Sequence, residues 1–214
     1  MACPICEKRK TERFCPAKGE KICAVCCGTE REVTIDCPWS CGYLRAARRY
    51  EQEHPKPVPE EEVPFPDVAV RQDLIHERRP VVSGLGYTIL IYAAGVGRGN
   101  ELVDWQAMAA LTALAETYRT LGSGIYYEKL PDEPVARGLY SELTKFVQKS
   151  QEEETEGAGR LKDAEVLPLL VFLLRVARAR TNGRPKSRAF LDFLRAQFPQ
   201  SAETQAEAPR IVLP

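Results

Sequence analysis

The sequence predicts a small two-zinc, cysteine-rich finger followed by an all-α helical bundle of five to six helices. All eight cysteines fall within the first 41 residues of the 214-residue chain. A proline-rich stretch follows, with five prolines between positions 54 and 66. From residue 67 onward, apolar side chains recur at steps of three and four residues, which is the period of an amphipathic helix.

These patterns divide the chain into four segments. We expect a zinc finger with a C-terminal helix in residues 1–50, a proline-rich linker in 51–66, a helical bundle in 67–198 and a disordered tail in 199–214. Proline fixes the backbone dihedral φ and donates no amide hydrogen bond, so the linker is expected to be extended and semi-rigid. The length of the chain suits one ordinary domain plus a small module.

The cysteines have the number and spacing of two four-coordinate metal sites. Structural zinc is held tetrahedrally by four cysteine or histidine ligands, so eight thiols suit two zinc ions. The pairs Cys3/Cys6 and Cys23/Cys26 have the C-x-x-C spacing that lets a tight turn direct both sulfurs at one ion. The expected ligands are Cys3, Cys6, Cys15, Cys23, Cys26, Cys27, Cys37 and Cys41.

Two assignments of these ligands to the two ions remain open. A sequential arrangement gives one ion Cys3, Cys6, Cys15 and Cys23, and the other ion the remaining four. It directs the adjacent Cys26 and Cys27 at the same metal, although neighbouring side chains usually project in different directions. The interleaved arrangement, which we favour, gives one zinc Cys3, Cys6, Cys23 and Cys26, and the other zinc Cys15, Cys27, Cys37 and Cys41.

The order and spacing of these cysteines resemble those of the cross-braced, treble-clef-type zinc fingers of the HIT, MYND and RING families. The resemblance covers about one fifth of the chain and implies a two-zinc fold that binds proteins or nucleic acids. Two features depart from those families. The late ligands are all cysteines, without the usual histidine, and Lys18 stands where a HIT-type finger has the partner of Cys15. The activity of any one family, such as ubiquitin ligation by RING domains, is therefore not implied.

Other uses of the thiols fit the sequence less well. The chain starts Met-Ala-Cys without an apolar signal segment, so we expect a cytoplasmic protein with reduced thiols rather than a disulfide framework. Iron–sulfur proteins favour C-x-x-C-x-x-C runs followed by Cys-Pro, and Cys37-Pro38 is the one match to that pattern. A C-x-x-C redox couple needs a thioredoxin-like βαβ context, which the sequence lacks.

The helices are predicted from apolar spacing and from their end signals. Residues 42–53 form a short helix that docks on the second zinc site through Tyr43 and Leu44. Pro80 breaks or kinks the next helix. The run 81–96 then has helical spacing, although its residues 87–92 leave a strand possible, and 95–100 read as a turn.

Three longer helices and a last short one complete the prediction. Residues 102–118 form an amphipathic helix capped by Asn100 or Asp104, and Pro134 begins the next helix. The stretch 161–180 is apolar on most of its circumference, which is typical of a helix at the centre of a bundle. Ser187 caps the last helix.

The charge pattern limits the possible partners. The chain has 30 basic and 30 acidic residues, so no global field directs it to nucleic acid or to a membrane. No run approaches the ~20 apolar residues of a membrane-spanning helix. Residues 175–195 contain a cationic cluster and a single acidic residue, Asp192. The cations are Arg175, Arg178, Arg180, Arg184, Lys186, Arg188 and Arg195. We interpret this cluster as a complement to the helix dipole with an acidic partner such as residues 152–156, the alternative being a nucleic-acid backbone.

These features predict a non-catalytic interaction or adaptor protein that binds another macromolecule, in the first place a protein. The chain has two histidines, His54 and His76, so an acid–base or metalloenzyme site lacks its usual parts. Zinc sites closed by four cysteines have no open position for water, and no small-molecule substrate is inferred. The alternative is a nucleic-acid-associated factor that uses the Arg175–Arg195 cluster and the basic residues of the finger, Lys8, Arg9, Lys10, Arg45, Arg48 and Arg49.

Overall fold

The computed structural model describes residues 1–95, 102–124, 127–154 and 159–198. These residues form one two-stranded sheet and eight α-helices. The predicted tail 199–214 lies outside the described residues, as do most of the predicted turn at 95–100 and part of the acidic segment 152–156.

A short hairpin and two helices make up the cysteine-rich region. Strand β1 (Arg13–Cys15) pairs in antiparallel fashion with β2 (Glu20–Ile22). Gly19 closes the turn with a φ of +68°, a conformation that glycine adopts without steric cost. Helix α1 (Ala24–Glu30) follows β2, and α2 (Gly42–Glu53) follows the last cysteine, which confirms the helix predicted there.

The finger has very little apolar interior. Its buried cluster consists of Ile22, Ile35, Cys3, Cys15, Cys23 and Cys26. So few buried side chains do not offset the conformational entropy of a segment of this length, and small domains of this kind usually depend on metals or disulfides. We therefore expect metal binding to supply most of the folding free energy of the finger.

Six helices form the bundle, within the predicted range. They are α3 (Gln72–Glu77), α4 (Arg79–Gly95), α5 (Asp104–Gly122), α6 (Pro134–Glu152), α7 (Asp163–Arg180) and α8 (Ala189–Gln197). Helix α5 packs against α6 and α7, while α4 packs against α6 and α8. In α7, Leu169, Leu170 and Leu174 are fully buried, as expected for a central helix. No described helix has both the length and the apolar character required to cross a membrane.

The start of α4 confirms one prediction and its middle settles another. Helix α3 ends at Glu77 and α4 begins at Arg79, so the helical run is broken beside Pro80 as predicted; the proline fits as the second residue of α4 because amide groups of a first helical turn have no partner to lose. Residues 87–92 are helical, without the strand that remained possible. Burial of Val81, Leu85 and Ile89 on one face against the bundle favours the helix over the local strand preference.

Two glycines allow α4 and α6 to approach closely. A Cβ at Gly84 would lie 2.2 Å from Cζ of Phe146, and one at Gly138 would lie 2.2 Å from the hydroxyl oxygen of Tyr92. That hydroxyl donates a 2.8 Å hydrogen bond to the carbonyl of Val135, which fixes the ring in place. The crossing of the two helices therefore requires glycine at these positions.

We expect Gly84→Ala to lower the free energy of unfolding by about 1–3 kcal/mol, because the added methyl group must displace a packed ring. Gly86→Ala in the same helix is the control, since its Cβ would make an ordinary 3.4 Å contact with Leu194. Alanine also favours the helix over glycine by about 1 kcal/mol. Urea unfolding of the two variants measures the difference, and equal stabilities would contradict this account of the helix crossing.

The second half of the proline-rich segment lies along α7. The Arg175 guanidinium donates to the carbonyl oxygens of Pro64 at 3.0 Å and Phe65 at 2.5 Å. Arg178 forms an ion pair with Glu62, which lies in a short 3-10 turn (Glu60–Glu62). Phe65 is buried in the main core, so this part of the segment is fixed on the bundle by side chains of α7.

Candidate metal centre

The first two cysteines of the metal centre lie on a tight turn at the start of the chain. The amide of Cys3 donates to the carbonyl of Arg9 at 2.8 Å, and the amide of Glu7 donates to the carbonyl of Cys3 at 2.7 Å. Glu7 has a φ of 53°, in the left-handed region that non-glycine residues seldom adopt. The chain therefore reverses directly after Cys6, which brings the sulfurs of Cys3 and Cys6 to one side of the turn.

The other two cysteines lie at the N-terminus of α1. Cys23 is the N-cap residue, and its sulfur accepts the amide of Cys26 at 3.3 Å. The amide of Cys23 in turn donates to the sulfur of Cys3 at 3.3 Å, which joins the helix to the N-terminal turn. The positive end of the helix dipole favours negatively charged sulfur at this position.

Together the four sulfurs have the spacing of a tetrahedral metal site. The sulfurs of Cys3, Cys6, Cys23 and Cys26 all lie within 4.8 Å of one another, and those of Cys6 and Cys23 are 3.9 Å apart. With a zinc–sulfur bond of about 2.3 Å, the edge of a regular tetrahedron is about 3.8 Å. A disulfide requires about 2.05 Å, and all eight cysteines are free thiols. The group can therefore hold a metal ion, and four cysteine sulfurs are a donor set that zinc prefers.

The surroundings of these thiols shift their pKa values in different directions. Amides of Lys8 and Arg9 donate to the sulfur of Cys6 and lower its pKa to about 6. Burial raises the pKa of Cys26 to about 12, with the neighbouring cysteine sulfurs adding to the effect. Burial opposes ionisation of Cys3 as well, but backbone amides donating to its sulfur outweigh it and its pKa is lowered. A divalent cation removes the repulsion among neighbouring thiolates, so metal binding is expected to release protons.

The remaining four predicted ligands are not brought together as closely. Cys15 ends β1, Cys27 lies in α1, Cys37 lies in the loop before α2, and Cys41 immediately precedes α2. In the described part of the chain, the group formed by Cys3, Cys6, Cys23 and Cys26 is the one that meets the 4.8 Å spacing. Burial raises the pKa of Cys37, and the nearby charges of Cys41 and Cys15 add to this increase. A second four-cysteine site is therefore not shown.

Glu32, a residue that the sequence did not single out, joins the finger to the bundle. It lies between α1 and Cys37, with a φ of 54° and 1% of its surface exposed. Its carboxylate forms an ion pair with Arg48 of α2 and accepts a 3.0 Å hydrogen bond from the side-chain amide of Asn182. Its backbone carbonyl accepts the amide of Lys186 at 2.8 Å. One finger residue thus binds α2 and the segment between α7 and α8.

Arg48 extends this contact into a buried network of charges. Its Nη1 lies 3.0 Å from a carboxylate oxygen of Glu51, and its Nε lies 3.5 Å from a carboxylate oxygen of Asp192 in α8. Burial raises the pKa of Asp192, although the positive charges of Arg195 and Arg48 oppose this increase. Removal of one member would leave an uncompensated buried charge, which is strongly destabilising.

The segment between α7 and α8 makes further contacts with the end of α1 and with the loop that follows it. The Arg184 guanidinium donates to the carbonyls of Gly28 at 3.0 Å and Arg31 at 2.5 Å, which are groups at the C-terminal end of a helix that otherwise lack partners. Lys186 Nζ donates to the carbonyl of Thr34 at 3.0 Å. Arg188 forms an ion pair with Asp36 at 2.6 Å.

The rest of the predicted cationic cluster also has partners within the molecule. Besides the three residues above, Arg175 binds backbone carbonyls, Arg178 pairs with Glu62, Arg180 lies 4.4 Å from the ring centroid of Phe193, and Arg195 pairs with Asp192. The carboxylate partners are Glu62, Asp36 and Asp192, whereas the sequence suggested residues 152–156. The partners come from distant parts of the chain, which no local pattern reveals.

Several aromatic side chains of the finger are exposed. Trp39 is 52% exposed and Tyr50 is 63% exposed, and Phe14 and Tyr43 are also on the surface. Leu44 is buried as predicted, whereas Tyr43 is 39% exposed, with the Arg13 guanidinium of β1 over its ring at 4.8 Å, and its docking on a second zinc site stays a prediction. Exposed aromatic residues of this size are enriched in protein interfaces.

No protein-family model, no curated protein and no solved structure matches this chain. The geometry of four cysteines supports a cysteine-rich, metal-binding module at the N-terminus. Its resemblance to HIT, MYND or RING fingers in particular stays a prediction based on the order of the cysteines.

Proposed function

We propose that this chain is a zinc-binding, non-catalytic interaction protein whose finger and helical bundle together bind another protein. The observation that supports this most is the group formed by Cys3, Cys6, Cys23 and Cys26, whose sulfurs have the spacing of a tetrahedral zinc site. Four cysteine ligands fill every coordination position, so no position is left for a catalytic water. Zinc in such a site would stabilise the fold of the finger. We place this function in the cytoplasm, where thiols stay reduced.

We further propose that a second zinc ion is bound by Cys15, Cys27, Cys37 and Cys41. Cys27 and Cys37 pack against the apolar cluster that contains Cys15. Cys41 directly precedes α2, and its charge acts on Cys37. Binding of the ion would draw these four sulfurs to the spacing of the first group, and the ion itself would supply the free energy for this movement.

The exposed aromatic residues of the finger are the proposed contact surface for the partner protein. Trp39, Tyr43 and Tyr50 lie in or beside α2, whose opposite face is buried through Leu44 and Arg48. Tyrosine and tryptophan often dominate the binding free energy of an interface because they bury a large area with few rotatable bonds. The zinc-folded finger would hold these side chains in fixed positions.

The expected result is that a partner protein co-purifies from native cells with the unaltered chain but not with a Trp39→Ala/Tyr50→Ala variant. The matched control is Tyr87→Ala/Ile91→Ala, which removes two exposed apolar side chains from α4 of the bundle. Partner identification by mass spectrometry, with zinc content as a check on folding, measures the outcome. Retention of the same partner by both variants, or by neither, would contradict the assignment of this surface.

Nucleic-acid binding by the finger is a second candidate function. Within the described residues, Lys8, Lys10, Arg45 and Arg49 take part in no ion pair, whereas Arg178, Arg188 and Arg195 of the 175–195 cluster pair with carboxylates. Cations without acidic partners can contact phosphates, and such binding weakens steeply as salt increases. Titration of the zinc-loaded chain with single-stranded RNA at two salt concentrations tests this candidate.

A further inference from the structure

We propose that the zinc-loaded finger covers a phosphate-binding surface of the bundle, and that loss of zinc exposes this surface to nucleic acid. The covered surface consists of Arg184, Lys186 and Arg188, which lie between α7 and α8. The inference rests on the zinc binding proposed above and goes beyond it, because it assigns the finger a regulatory contact within the chain.

The finger contacts this surface through one short segment, residues 28–36, which comprises the end of α1 and the loop that follows it. Arg184, Lys186 and Arg188 bind acceptors of this segment, which directly follows Cys27 and precedes Cys37, both predicted zinc ligands. Two of the three cations bind backbone carbonyls, so their partners exist only while the loop keeps its conformation. Glu32 adds two contacts with the bundle segment, because its carboxylate accepts hydrogen bonds from the side-chain amide of Asn182 and from the backbone amide of Arg188.

Loss of zinc is expected to remove these acceptors together. The finger has a very small apolar interior, so its loop is ordered only when the sulfurs are held by metal. The bundle is different in this respect. Within the described residues, its buried core runs from Phe65 to Leu194 and contains no residue of the finger, so the bundle stays folded when the finger unfolds.

The exposed bundle surface would then be strongly cationic. Three cations lie within five residues, and Arg180 and Arg178 precede Arg184 by four and six residues in the chain. Arginine binds phosphate oxygens through two parallel hydrogen bonds, which makes it well suited to a nucleic-acid backbone. In the zinc-loaded chain, these guanidinium groups are already occupied. Arg184 donates to the carbonyls of Gly28 and Arg31, and Arg188 pairs with the carboxylate of Asp36.

Titration of the full chain with a fluorescent single-stranded RNA of about 20 nucleotides tests this inference. We expect the chain stripped of zinc under reducing conditions to bind the RNA at least tenfold more tightly than the zinc-loaded chain at low salt. The stripped variant Arg184→Ser/Lys186→Ser/Arg188→Ser should lose this gain. In a plot of the logarithm of RNA affinity against the logarithm of salt concentration, the slope for this variant should be smaller by about two. Each phosphate contact to a single strand contributes about 0.7 to that slope, and three cations are removed.

Two further variants distinguish RNA binding by the covered surface from RNA binding by the basic residues of the finger. Lys8→Ser/Lys10→Ser/Lys21→Ser removes the same number of cations from the finger and should keep the gain on zinc removal. Glu32→Lys should undock the finger while zinc stays bound, so this variant should bind RNA more tightly without metal loss. Zinc content and far-ultraviolet circular dichroism check that it is folded, and Asp36→Lys provides a milder disruption of the same contact if it is not.

The outcomes distinguish this inference from the proposed function. If the chain binds no zinc, the proposed function fails and this inference fails with it. If the chain binds zinc but the loaded and stripped forms bind RNA equally, only this inference is overturned. A gain that survives in the Arg184/Lys186/Arg188 variant and disappears in the Lys8/Lys10/Lys21 variant would also overturn it, because the finger would then be the source of binding.

Discussion

Cys23→Ser is expected to abolish metal binding at the four-cysteine group and to unfold the finger, while the bundle stays folded. Cys23 provides a ligand sulfur, caps α1 and donates its amide to Cys3. Structural zinc contributes on the order of 10 kcal/mol to the folding of small fingers, which is more than this apolar interior can replace. The effect should therefore be complete loss of order in the finger, without an intermediate state.

Zinc content and limited proteolysis measure this effect. We expect the variant to lose both equivalents of zinc per chain, because the two sites are interleaved in one finger, and to be cleaved rapidly within residues 1–50, with most of the helical circular dichroism retained. Val25→Ser is the matched control, because Val25 lies between Cys23 and Cys26 and is 47% exposed. Unchanged zinc content in the Cys23 variant, or equal loss in the control, would be inconsistent with the proposed site.

Glu32→Ala is expected to lower the free energy of unfolding by about 3–5 kcal/mol, because it leaves the buried Arg48 without its main partner. The substitution also removes the hydrogen bond that the side-chain amide of Asn182 donates to the Glu32 carboxylate. Chemical unfolding followed by circular dichroism measures this change. Pairing the substitution with Arg48→Met should recover part of the loss, since the uncompensated charge is then removed.

Glu142→Ala provides the comparison for this prediction. Glu142 pairs with Lys145 at 2.8 Å on the surface of α6, where both side chains are largely exposed. Exposed ion pairs contribute about 0.2–1 kcal/mol, so the substitution should have a small effect. Similar effects of the Glu32 and Glu142 substitutions would mean that the finger does not depend on the buried charge network for docking.

The metal centre could be predicted from local spacing. Cys3/Cys6 and Cys23/Cys26 are each separated by two residues, and such short spacings restrict where the sulfurs can lie. The same reasoning placed Cys26 and Cys27 on different sites, and Cys27 indeed lies outside the group. The second set of ligands spans longer loops, so spacing alone restricts its geometry less.

The contact between finger and bundle could not be predicted in this way. Glu32 and Asn182 are 150 residues apart in the chain, and a single glutamate in a loop is usually solvated. Nothing in the local sequence indicates that Glu32 is buried with a positive φ. Burial of Phe65 within a proline-rich segment is a similar case, because its position depends on Arg175 and on the core of the bundle.

Elemental analysis of freshly isolated, fully reduced protein is the most direct test of metal binding by the finger. We expect two equivalents of zinc per chain in the unaltered protein and none in the Cys23→Ser variant. Iron in place of zinc, or fewer than two equivalents of bound metal in the reduced protein, would contradict this expectation.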